Sequence, residues 1–131
     1  MGGNEEANQG PLSPEQFQAN FLLTVFPQEG ITTFIVEGEL DMLSAPILLE
    51  EVTTFIDTST AGDELAVDFR KITFIDGAGL NAMINAHSRC TDAGLQFFIQ
   101  NPSLLARRFF DLTSMDKYFN FVFGSRRANS S

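Results

Sequence analysis

The stretch that decides the fold is KITFIDGAGLNAM, residues 71–83. Its first half is β-branched and aromatic, and its second half carries helix formers. Between them stands Asp76-Gly77-Ala78-Gly79, so the stretch reads as strand end, tight turn and helix start. Asp76 fits the N-cap, because a carboxylate there accepts backbone N–H bonds and faces the positive end of the helix dipole. A helix N-terminus of this kind can also hold an anion, so the turn is a candidate site as well as a candidate cap.

The same alternation extends in both directions. Upstream, Phe21–Phe26 and Ile31–Val36 flank Gln28-Glu29-Gly30 and read as a hairpin, with Gly30 free to take positive φ. A first helix follows Asp41, with Pro46 in its first turn and Leu48, Val52 and Phe55 on one face. In ELAVDFRKITFI, Leu65, Val67 and Phe69 alternate with Ala66, Asp68 and Arg70, the pattern of a strand. The second helix, Ala78 to Cys90, carries Leu80, Met83, Ile84 and His87 on one face and ends at Gly94. LQFFIQN is a buried strand, Pro102 opens a third helix with Leu105, Phe109 and Leu112 inward, and FNFVFG is a last strand. The order ββαβαβαβ predicts an α/β domain. It has a mixed sheet of about five strands, an opening antiparallel hairpin followed by parallel strands, and three helices. The domain spans residues 17–124. The polar stretches 1–16 and 125–131 read as tails.

Composition narrows the function. The formal net charge of −9 argues against nucleic acid and against docking on an anionic membrane surface. No apolar run is long enough for membrane insertion. A single cysteine, Cys90, leaves no internal disulfide and no thiolate metal cluster, which suits a reducing, cytoplasmic setting. Of the 14 phenylalanines, most are expected to fill the core.

Candidate chemistry is sparse. Gly77 to Ala82 spells GxGxxA, the spacing of a dinucleotide-binding turn. The following strand ends in Gln100-Asn101, where the ribose would need an acid. Asp76 to Gly79 matches DxxG, but no P-loop accompanies it. His87 is the only histidine and lies beside an apolar stripe, so it reads as a semi-buried packing residue and not a metal ligand. Ser88 and Cys90 flank it without oxyanion-hole glycines. Asp41 and Asp76 read first as caps and surface charges. These residues assemble no catalytic site, and no cofactor or metal is expected. The outer face of the second helix, assigned to Ala78, Asn81, Ala82, Asn85 and Arg89, is small and sparsely charged, which suits close approach by another protein.

Four segments in order carry a resemblance: VEGELDMLSAPILLEEV, VDFRKITFIDGAGLNAM, DAGLQFFIQNPS and ARRFFDLTSMDKYF. Their succession and spacing resemble STAS domains, the anti-sigma factor antagonists of bacteria, over roughly residues 19–123. The resemblance implies a binding switch, not an enzyme. Members bind an anti-sigma factor, commonly with a histidine-kinase-like ATPase fold, and so free a sigma factor. A kinase adds phosphate to a Ser directly after the turn's Asp, and the added negative charge separates the complex. Gly77 stands at that phosphorylation position and Ala78 at the next, so this turn has no hydroxyl. The resemblance places partner binding on Asp41, Ser44, Asp76, Gly77, Ala78, Gly79, Asn81, Ala82 and Asn85. The favoured expectation is an antagonist without the usual switch. Other inputs would be modification of Thr73 or Ser44, oxidation of Cys90, or a ligand. The alternative is a stand-alone STAS scaffold or subunit bound to a transporter ATPase or signalling complex.

Overall fold

A computed structural model describes residues 19–124. The two tails assigned from sequence lie outside the described residues. The elements are β1 (Phe21–Gln28), β2 (Ile31–Leu40), α1 (Ala45–Thr58), β3 (Glu64–Ile75), α2 (Gly77–Asp92), β4 (Gln96–Gln100), α3 (Leu104–Leu112) and β5 (Phe121–Val122). They form one five-stranded sheet in the order β1-β2-β3-β4-β5, with β1 antiparallel to β2 and the rest parallel. The expected mixed sheet and three helices are therefore present. The hairpin turn is tighter than expected, because Gln28 pairs with Ile31 and leaves only Glu29-Gly30 to turn the chain, with Gly30 at φ 81°.

Sequential order with right-handed crossovers puts every connecting helix on one face of the sheet. The core lies on that face. Phe34, Val36, Leu65, Val67, Phe69, Phe97 and Ile99 point from the strands into Leu48, Val52 and Phe55 of α1, Met83 and Ala86 of α2, and Ala106 and Phe110 of α3. Phe34 meets Phe55 edge-on, and Phe69 stacks on Phe110 with ring centroids 6.1 Å apart.

Three assignments are corrected. First, α3 begins at Leu104 rather than Pro102, capped by the Ser103 hydroxyl, which accepts from the Ala106 N–H. Second, the inward residues of α3 are Ala106 and Phe110. Leu105 and Leu112 are exposed, at 43% and 85%, and Phe109 is half-buried. Leu104, Leu105 and Leu112 share one side of this short helix, and the small Ala106 on another side is what lets it settle against the sheet. Third, Ala82 does not face outward. It is 2% exposed, and the buried seam of α2 is Gly79, Ala82, Met83, Ala86 and Cys90. Of the small residues assigned to the outer face, Ala82 instead lets α2 pack closely inside the domain, while Asn81, Asn85 and Arg89 are exposed.

Candidate partner-docking site

Parallel strands deliver their following loops to one rim of the sheet, where α/β proteins commonly bind. Here β2 ends at Leu40 and β3 at Ile75, and their exits touch: the Asp76 N–H donates to the Leu40 carbonyl at 3.3 Å. The Asp41–Ser44 loop and the Asp76–Gly79 turn therefore lie side by side.

Each is held by a carboxylate. Asp76 Oδ1 accepts from the Gly79 N–H at 3.0 Å, so Asp76 is the N-cap of α2, as expected from its position. Asp41 Oδ1 accepts from the Leu43 and Ser44 N–H groups at 3.0 and 3.2 Å and closes its own turn. Ser44 is completely buried. Its hydroxyl donates to the Glu39 carbonyl at 2.7 Å and accepts from the Asp41 N–H at 2.8 Å. It shapes the loop from inside and presents no surface to a partner. Gly79 is also buried, because its α-carbon lies against the Leu40 carbonyl. A side chain there would place Cβ within 2.2 Å of that oxygen.

The remaining assigned residues divide differently. Gly77, Asn81 and Asn85 are exposed, and Ala78, Asp41 and Asp76 are half-buried. Gly77 is the first residue of α2, and a Cβ added to it meets nothing within 4 Å. Four large apolar side chains frame this rim: Met42 and Leu43 from the loop, Ile47 from the first turn of α1, and Phe74 from the end of β3. Sequence reasoning includes Met42 and Leu43 only as part of the Asp41–Ala45 loop and misses Ile47 and Phe74. Phe74 and Ile47 sit in strand and helix patterns that ordinarily bury such residues. Met42 and Leu43 carried a visible signal, as consecutive apolar residues in a loop.

The other reactive groups stand apart from this rim. Cys90 is fully buried, and desolvation pushes its thiol up to about 12, so no thiolate forms near neutrality. His87 packs against Phe97, Tyr118 and Phe119, and burial lowers its pKa below the ordinary imidazole value. Among the described residues no three His, Cys, Asp or Glu side chains converge on a metal position. No helix among them is long and apolar enough to cross a membrane.

Comparison with known proteins fits this geometry. The family model described as STAS domain matches residues 25–128. The chain is 25% identical over 80 residues to the anti-sigma-B factor antagonist of Bacillus subtilis, covering 61% of this chain and 71% of that protein. Its fold resembles the crystal structure of an anti-sigma factor antagonist from Mycobacterium paratuberculosis, with a TM-score of 0.69 and 22% identity over 83% of this chain and 92% of that one. It also resembles the Bacillus cell fate determinant SpoIIAA in its phosphorylated form, with a TM-score of 0.60 and 17% identity over 81% and 92% of the two chains. With its fold and its family match in agreement, the chain belongs to the STAS domain family.

Proposed function

We propose that the protein is a cytoplasmic anti-sigma factor antagonist that binds its anti-sigma factor with the rim at the ends of β2 and β3, and that its docking turn carries no phosphate switch. On this reading the partner, a histidine-kinase-like ATPase, is sequestered and a sigma factor is released. The observation that carries the reading is the Asp76–Gly79 turn, which exposes Gly77 at the start of α2. It is framed by exposed Met42, Leu43, Ile47 and Phe74, yet has no hydroxyl at Gly77 or Ala78. Exposed apolar side chains around a capped helix start suit a protein contact. The contact comprises Asp41, Met42 and Leu43, the turn, and Asn81 and Asn85 on α2. Ala82, Ser44 and the Gly79 α-carbon act only through the shape of the rim.

The other inputs narrow to modification of Thr73 or a ligand. Burial removes Ser44 from reach of a kinase and Cys90 from reach of an oxidant, while Thr73 is exposed on β3. Affinity capture from a lysate of the source cell, with and without ATP, tests the reading if the recovered bait is then searched for phosphate. A kinase-like anti-sigma factor held on unmodified bait is the expected result. The same prey on bait phosphorylated at Thr73 would refute the unswitched form. A transporter ATPase as prey would replace this function with a scaffold role.

A further inference from the structure

A second feature lies away from the docking rim, on the sheet face that carries no helix. Phe26 and Gln28 of β1, Thr33 and Ile35 of β2, Asp68, Arg70 and Lys71 of β3, and Gln100 of β4 enclose a cavity of about 300 Å³ there. That is the lower end of the range for small-molecule pockets.

Its floor is polar and fixed. Asp68 and Gln100 are each 5% exposed and in register on neighbouring strands. Gln100 Nε2 donates to Asp68 Oδ2 at 2.9 Å, and the Arg70 N–H donates to Asp68 Oδ1 at 2.9 Å. The rim is cationic for a stated reason. Ile35 pairs with Asp68 but Glu37 pairs with Lys71, so β3 holds one extra residue at this point. Consecutive residues of a regular strand point to opposite faces. The bulge instead brings both Arg70 and Lys71 to the same cavity. Arg70 spends one nitrogen on Asp68, Nη2 to Oδ2 at 3.5 Å, and its side chain stays 65% exposed. Among the described residues Lys71 makes no ion pair. Glu37 is in register with it, but beyond ion-pair distance. Opposite these cations stand Phe26, 49% exposed, and the half-buried Ile35.

Two cations thus outnumber the one carboxylate of this cavity, on a chain whose net charge is −9. A local reversal of sign in a concave site concentrates anions there. The guanidinium fork suits a planar carboxylate or a phosphate. We propose that this cavity binds a small amphipathic organic anion, its charged head on Arg70 and Lys71 and its apolar part on Phe26 and Ile35.

The test is a titration of the full chain with octanoate, acetate and octanol at constant ionic strength, followed by backbone amide shifts and calorimetry. Octanoate should saturate, with shifts confined to strand positions around Phe26, Ile35, Arg70 and Gln100. Acetate lacks the tail and octanol lacks the charge, and each should bind about tenfold more weakly or worse. Lys71→Gln should weaken octanoate several-fold, and Arg70→Gln about tenfold. Lys71 is engaged in no ion pair among the described residues, so its variant keeps the test decisive if Arg70→Gln disturbs the fold. Absence of saturable octanoate binding at millimolar concentration would overturn the proposal. So would octanol binding as well as octanoate, shifts centred elsewhere, or unchanged affinity in a folded Lys71→Gln protein.

Discussion

Gly77 and Gly79 stand two residues apart in one turn, and they are glycines for different reasons. Gly79 is wedged against the Leu40 carbonyl, where a Cβ would sit 2.2 Å from the oxygen. Gly77 faces open space at the first position of α2 and needs no left-handed backbone. One half of the turn is fixed by packing, while the other is free to vary. The phosphorylated Ser expected by resemblance falls in the free half, so its absence is not imposed by the fold.

The sharpest test of the packed half is a residue one turn along the same seam. Ala82→Arg should destabilise the domain by about 3–5 kcal/mol, because it forces an unpaired charge into the core. Denaturant unfolding reads this directly. A near-native midpoint would mean that the α2 seam is not where the buried Ala82 places it. Gly79→Ala should cost about 3 kcal/mol, since the clash is with backbone and no side chain can swing aside. Asp76→Ala removes the cap bond to the Gly79 N–H and should cost about 1 kcal/mol. Gly77→Ser should move stability by no more than about 0.5 kcal/mol in either direction. On the proposed function, it should also yield a phosphoprotein with the partner kinase and ATP, read by intact mass. Equal losses at Gly77 and Gly79 would abolish the distinction between the two halves.

The smallest expected effect concerns pH and lies at the far end of α2. Burial lowers the His87 pKa in the folded state, so the unfolded chain takes up its proton first as pH falls. Its contribution to stability is therefore intact above about pH 6.5 and is lost as pH drops through and below that value. Thermal unfolding of His87→Gln should show a shallower decline between pH 7 and pH 5 than the parent chain. Parallel curves would remove His87 as the source.

Much of this architecture was legible because periodicity, caps and turns are local. Asp76, Gly30 and the helix–strand alternation each announce themselves within a few residues. What periodicity lacks is phase when both faces carry similar residues. On α2 the larger Leu80, Met83 and Ile84 set the apparent stripe, while the buried seam runs through the small Gly79, Ala82 and Ala86 beside it. On α3 the leucines were more conspicuous than the Ala106–Phe110 pair that the sheet selects. The burial of Asp68 was illegible for another reason: its amide partner, Gln100, comes from a strand 32 residues away. Of the candidate site, the carboxylates and the open glycine were readable. The inward turn of Ser44 depends on hydrogen bonds that only the folded loop supplies.

The antiparallel placement of β1 has a practical consequence. Phe21 pairs with Gly38 near the end of β2, and the Asn20 carbonyl accepts from the Glu39 N–H at 2.7 Å. At the other edge, Gly124 is bound to Asn101, just past the end of β4, by two hydrogen bonds. The backbone thus leaves the described domain at both ends on the same rim as the Asp76–Gly79 turn. An affinity handle or fused reporter joined directly at Ala19 or Gly124 would emerge on the rim of the proposed contact. Attachment through the opposite rim, at Glu29 or Thr60, leaves that surface clear for binding measurements.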